Sequence, residues 1–180
     1  MMRRLLQFAD SVDAMSEQIG QALKWLVLFS SLISAGNAVV RKVLNTSSNA
    51  WLEIQWYMFA AMFLLAAGYT LKYDEHVRVD LFYHRYPKRL QAWLDLLGGI
   101  FFLMPMAVII GWLSLPMVIN SYSIHEMSGD AGGLLRWPVK IMIPIGFALL
   151  ALQGLAEIVK KFAVVRGIRA PGKAYERPVQ

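Results

Sequence analysis

The chain has 180 residues, of which 57% are hydrophobic and 17% charged, with a formal net charge of +6 and no cysteine. Soluble domains are nearer about a quarter charged, so this composition argues against an ordinary water-soluble fold. The lack of cysteine excludes disulfides, thiolate metal sites and dithiol redox chemistry.

The chain opens "MMRRLLQFADSVD". It starts cationic, but Asp10 and Asp13 break up any apolar stretch of the kind a cleaved leader needs. Leu5, Phe8, Val12, Met15, Ile19 and Leu23 recur at spacings of three and four. They therefore share one helical face, with Asp10, Asp13, Glu17 and Gln21 mostly elsewhere. The pattern predicts an amphipathic N-terminal helix over residues 1–23, lying in the membrane interface or against a partner.

Four long uncharged runs follow: Trp25 to Val40, Ile54 to Leu71, Leu96 to Ile119 and Ile141 to Ala156. Crossing a hydrocarbon core of about 30 Å takes roughly 20 helical residues. The second and third runs meet that length, and flanking Lys and Arg stems extend the other two by snorkelling. The expected fold is therefore an all-α integral membrane protein. A four-helix transmembrane domain occupies 24–162, with spans near 24–42, 52–72, 90–119 and 138–160, and a basic tail occupies 163–180.

Between the first two spans, "RKVLNTSSNAWLE" reads as a short polar connection, and Trp51, Trp56 and Tyr57 suit the membrane boundary. The second span carries Ala60, Ala61, Ala66, Ala67 and Gly68, small residues that let helices approach closely. After the charged loop "KYDEHVRVDLFYHRYPKRL", Pro87 fits the first position of the third helix. Pro105 lies inside that helix and should kink or loosen it. The next loop, "NSYSIHEMSGDAGGLLRWP", is rich in Gly and Ser and should fold back over the helix ends.

Of the 18 Lys and Arg, only Arg41, Lys42, Arg136 and Lys140 fall on one side of this topology. Cytoplasmic loops hold the excess of positive charge, so both termini and the 72–90 loop are expected in the cytoplasm. That placement accounts for the basic balance through orientation and anionic lipid, and no groove-reading or stacking motif accompanies it. Nucleic acid is not an expected partner.

Candidate chemistry is sparse. Glu53, Asp95 and Glu157 lie near span ends, and Asn37 and Gln153 could form interhelical hydrogen bonds. The histidines, His76, His84 and His125, lie in loops, so they are not placed to ligate a haem between helices. His76, His84, Asp74 and Asp80 match no strong zinc spacing. There is no phosphate-binding loop of P-loop form. Neither a cofactor nor a metal is expected, nor an enzymatic activity.

Two stretches carry a family resemblance. The first is "WLEIQWYMFAAMFLLAAGYTLKYDEHVRVDLFY", residues 51–83. It has Glu53 at the start of a small-residue-rich span ending at Lys72, followed by His76, Val77, Arg78, Val79, Asp80, Leu81 and Phe82. The second spans residues 125–160, with Glu126 and Ser128, a Gly turn, Trp137 and a last span containing "LQGLAE". Together they resemble the small membrane subunit, DctQ-like, of tripartite ATP-independent periplasmic (TRAP) transporters, from roughly residue 20 to 162.

The resemblance implies a non-catalytic subunit in a bacterial inner membrane. Its partners would be a large membrane subunit carrying the substrate and sodium sites, a periplasmic substrate-binding protein, and membrane lipids. It would brace the large subunit during sodium-coupled import of a small organic anion. Family position singles out Glu53, Trp56, Arg78, Asp80 and Glu126 for partner or structural contacts. The rival reading is a stand-alone four-helix carrier or channel, which needs polar groups on a shared intramembrane face.

Overall fold

A computed structural model describes residues 2–46, 48–74 and 83–168. Its helices are α1 (Met2–Leu44), α2 (Asn49–Leu65), α3 (Ala67–Lys72), α4 (Lys88–Gly98), α5 (Met104–Ser123), α6 (Trp137–Lys140) and α7 (Met142–Val165). A 3-10 turn, Tyr83–Arg85, precedes α4, and a π turn, Gly99–Leu103, joins α4 to α5. Four helical rods are long and apolar enough to cross a membrane: Met2–Leu44, Asn49–Lys72, Lys88–Ser123 and Trp137–Val165.

The first rod runs unbroken through residues 23 and 24, so the amphipathic segment and the first span are one helix of 43 residues. At 1.5 Å per residue it is about 64 Å long, roughly twice the hydrocarbon thickness. Its packed face is rotated from the one the apolar spacing marks. Ala9, Val12 and Ser16 are buried, while Leu5 and Phe8 stay exposed. Ala9 and Val12 pack on Ala156 of α7, with Met15, Leu152 and Val159 around them.

Each rod ends on a residue in the left-handed region: Asn45, Asp74, His125 and Gly167. Asn, Asp and His tolerate this conformation better than other side-chain-bearing residues, and Gly adopts it freely. At the end of α7 the Gly167 N–H bonds the Val164 carbonyl and the Ile168 N–H bonds that of Ala163, both at 2.9 Å. This pair of bonds is the Schellman closure. The helix thus ends at Val165, inside the stretch read as tail.

Pro87 stands one position earlier than its spacing suggests. It is the N-cap of α4, extended at φ −61° and ψ 148°, and its carbonyl accepts the Leu90 and Gln91 N–H groups. Pro105 does loosen its helix. It cannot donate to the Phe101 carbonyl, and its ring crowds that oxygen. The turn just before it widens, with the Met104 N–H reaching back to Gly99.

Helix α7 is the spine, packing against α1, α2, α3, α4 and α5. Helix α5 rests on α7 and faces α2 across a cleft. The approach of α7 to α2 is close at Gly146, where an added Cβ would stand 2.7 Å from the Leu64 carbonyl oxygen. Most large apolar side chains on the rods are exposed, Phe63, Phe102 and Trp112 among them, as suits a surface solvated by lipid.

Candidate functional site

The polar side chains that enter the bundle gather at its two ends. One end is capped by the loop between α5 and α6. The Arg136 N–H bonds the Glu126 carbonyl at 2.8 Å and the Ser128 N–H bonds the Leu134 carbonyl at 2.9 Å, making a two-rung hairpin. Glu53, 4% exposed in the second turn of α2, holds that hairpin down. Its carboxylate accepts the Ser128 hydroxyl proton and, at 2.6 Å, the Leu134 N–H. Asn49 donates to the Ala131 carbonyl at 3.0 Å and the Tyr57 hydroxyl to that of Leu135 at 2.9 Å. Lys140 of α6 pairs with Glu126. That ammonium, hydrogen-bonded to the carboxylate, holds the Glu126 carboxyl below its ordinary 4.5.

The other end, where α1 begins and α7 finishes, holds a second clasp. Gln153 is fully buried in α7. Its carbonyl oxygen accepts the Ser16 hydroxyl at 2.7 Å, and its amide donates to Asp13 at 2.7 Å and Glu157 at 3.2 Å. Lys160 lies between the same two carboxylates, 2.9 Å from Asp13 and 2.5 Å from Glu157. One turn along α1, Glu17 accepts from Lys72 at 2.6 Å and from the Tyr73 hydroxyl at 2.5 Å. Asp95 of α4 accepts from Lys161 at 2.6 Å and from the Tyr83 hydroxyl at 2.8 Å. Three of the four rods are therefore tied to a neighbour by an ion pair at this end, and α7 holds two of those ties.

Between the clasps the cleft is apolar. It encloses about 410 Å³, walled by Met62, Phe63 and Ala67 on one side and Met106 on the other, and floored by Phe147 and Leu150. Thr70 also lines it, but that hydroxyl donates to the carbonyls of Ala66 and Ala67, at 3.3 and 3.0 Å. Beside the cleft mouth, Leu52, Trp56, Phe59 and Phe63 form an exposed stripe on α2 at spacings of four, three and four.

The family-position residues thus separate. Glu53 and Glu126 lie at the same end, both engaged with the hairpin and its flanks. Trp56, 63% exposed, points away from them. Arg78 and Asp80 lie outside the described residues, as does His76. Gln153 forms the interhelical bonds its position suggests, and Asn37 is half-buried in α1. Sequence reading missed Asp13, Ser16 and Lys160 as a unit. The one available signal was an acid and a lysine at the same end of two spans.

The comparisons with known proteins give one match. The profile of the family described as tripartite ATP-independent periplasmic transporters, DctQ component, matches residues 30–164. No curated protein and no solved structure matches the chain.

Proposed function

We propose that this chain, which belongs to the DctQ component family of tripartite ATP-independent periplasmic transporters, braces the large membrane subunit of a sodium-coupled importer. The cargo is a small organic anion delivered by a periplasmic binding protein. Both termini face the cytoplasm of a bacterial cell, and the chain sits in its inner membrane.

The observation that carries this reading is the distribution of polar groups. Gln153, Asp13, Lys160 and Glu157 bond one another at one end, and Glu53 and Ser128 at the other. The cleft between them is lined by apolar side chains. Such a body resists bending and offers its partner a hydrocarbon surface, whereas moving an ion needs polar lining along its path. The excess of Lys and Arg at the end bearing α1's start and α7's finish supports the orientation.

The test is uptake into vesicles holding the large subunit with and without this chain, each supplied with binding protein and a sodium gradient. Uptake that requires the chain, together with none from vesicles holding it alone, agrees with bracing. Solute movement by the chain alone selects the stand-alone carrier instead.

A further inference from the structure

We infer that the start of α4 is a seat for the headgroups of anionic phospholipids. The lysines nearest the bundle axis at this end are already engaged: Lys72 with Glu17, Lys160 with Asp13 and Glu157, and Lys161 with Asp95. Arg85, Lys88 and Arg89 are different. All three are exposed, none forms an ion pair among the described residues, and the first turn of α4 carries no acid.

Their setting identifies the ligand. Helix α4 buries Gln91, Ala92 and Leu96 and turns Leu90, Trp93, Leu94 and Leu97 outward. The outward face is therefore hydrocarbon-like up to Leu90 and cationic immediately beyond it. A free phosphate would find the charge but leave the apolar face unused, whereas a phospholipid meets both. Tyr86 and Trp93 are exposed at the same boundary, where their amphipathic rings are favoured.

The cations are also held in place. The Gln91 amide donates to the carbonyls of Tyr83 and Tyr86, at 3.0 and 2.9 Å. The Tyr83 hydroxyl donates to Asp95, which is in turn paired with Lys161 of α7. The turn bearing Arg85 is thus fastened to the helix bearing Lys88 and Arg89, so the three charges converge without a loop having to order. Positive charge set above an apolar face complements an acidic headgroup and its acyl chains, and selects them over a zwitterionic lipid.

The experiment is native mass spectrometry of the purified full chain in micelles doped equally with phosphatidylglycerol and phosphatidylcholine. The wild-type chain should retain phosphatidylglycerol in preference. Each cation removed should reduce that preference about fivefold. Arg89→Gln alone should therefore be measurable, and the triple variant Arg85→Gln/Lys88→Gln/Arg89→Gln should lose more than about tenfold. Arg41→Gln/Lys42→Gln removes cations from the opposite end and should leave the preference intact. Inorganic phosphate should not displace the lipid. A wild-type chain without preference, an equal loss in the Arg41/Lys42 variant, undiminished preference in a folded triple variant, or displacement by inorganic phosphate would each overturn the assignment.

Discussion

Replacing Gln153 by Leu keeps a side chain of similar size in a fully buried position while deleting its hydrogen bonds. The Ser16 hydroxyl, itself buried, loses its acceptor at 2.7 Å, and Asp13 loses the amide donor at 2.7 Å. A neutral bond contributes about 1 kcal/mol and one to a charged group about 1.5 to 3 kcal/mol, so the variant should lose about 2 to 4 kcal/mol. Lys160 still bridges Asp13 and Glu157, which keeps the loss from growing further. Titration of the micelle-bound chain with denaturant, followed by helix content, measures this directly. Pairing Gln153→Leu with Ser16→Ala in a double-mutant cycle isolates the contact, with an expected coupling of about 1 kcal/mol. A loss under about 0.5 kcal/mol, typical of a surface change, or strictly additive single variants, would refute the clasp as a source of rigidity.

Other outcomes follow from the same geometry. Gly146→Ala sets a Cβ 2.7 Å from the Leu64 carbonyl oxygen and should cost about 1 to 3 kcal/mol as α2 and α7 part. Gly98→Ala, where the added atom meets nothing within 4 Å, should be neutral or stabilise by up to about 1 kcal/mol; thermal unfolding of the two variants side by side checks both. The Glu126 carboxyl is depressed in the folded chain by Lys140. Its contribution is therefore complete above the unfolded value of about 4.3 and drains away as pH falls through the folded one. Glu126→Gln should flatten the acid limb of a stability-against-pH curve, and an unchanged limb would exclude the ion pair as its source. Arg78→Ala or Asp80→Ala should lower recovery of the complex with the large subunit on affinity purification, and normal recovery of both removes that loop from the interface.

The elements that sequence reading found are those with local signals. Runs such as Ile54 to Leu71 announce a span by themselves, and Pro105 announces a fault in its own helix, because the missing donor and the clash act within one turn. What escaped is what depends on a distant partner. Periodicity placed Asp13 and Glu17 off the apolar face of α1, yet that side is packed, because α7 offers Gln153 and Lys160 and α3 offers Lys72. The same blindness affects charge counting. Lys160 and Lys161 register as tail cations, although each neutralises an acid on another rod. Glu53 was legible as a residue near a span end, but its two partners lie in a loop more than seventy positions away.

The π turn between α4 and α5 has a bearing on how relatives of this chain are compared. Its wider ring holds one residue more than α-helical winding needs, and that surplus sets the facing of everything after it. A relative lacking one residue between Gly98 and Pro105 would wind straight through, swinging its α5 by about 100° relative to α4. Asp95 could then still meet Lys161 while Leu103 and Met104, now seated over Gly154, turned aside. A one-position gap there is thus a change of azimuth, and homologues sorted by its presence should divide into two groups with different lipid-facing sides.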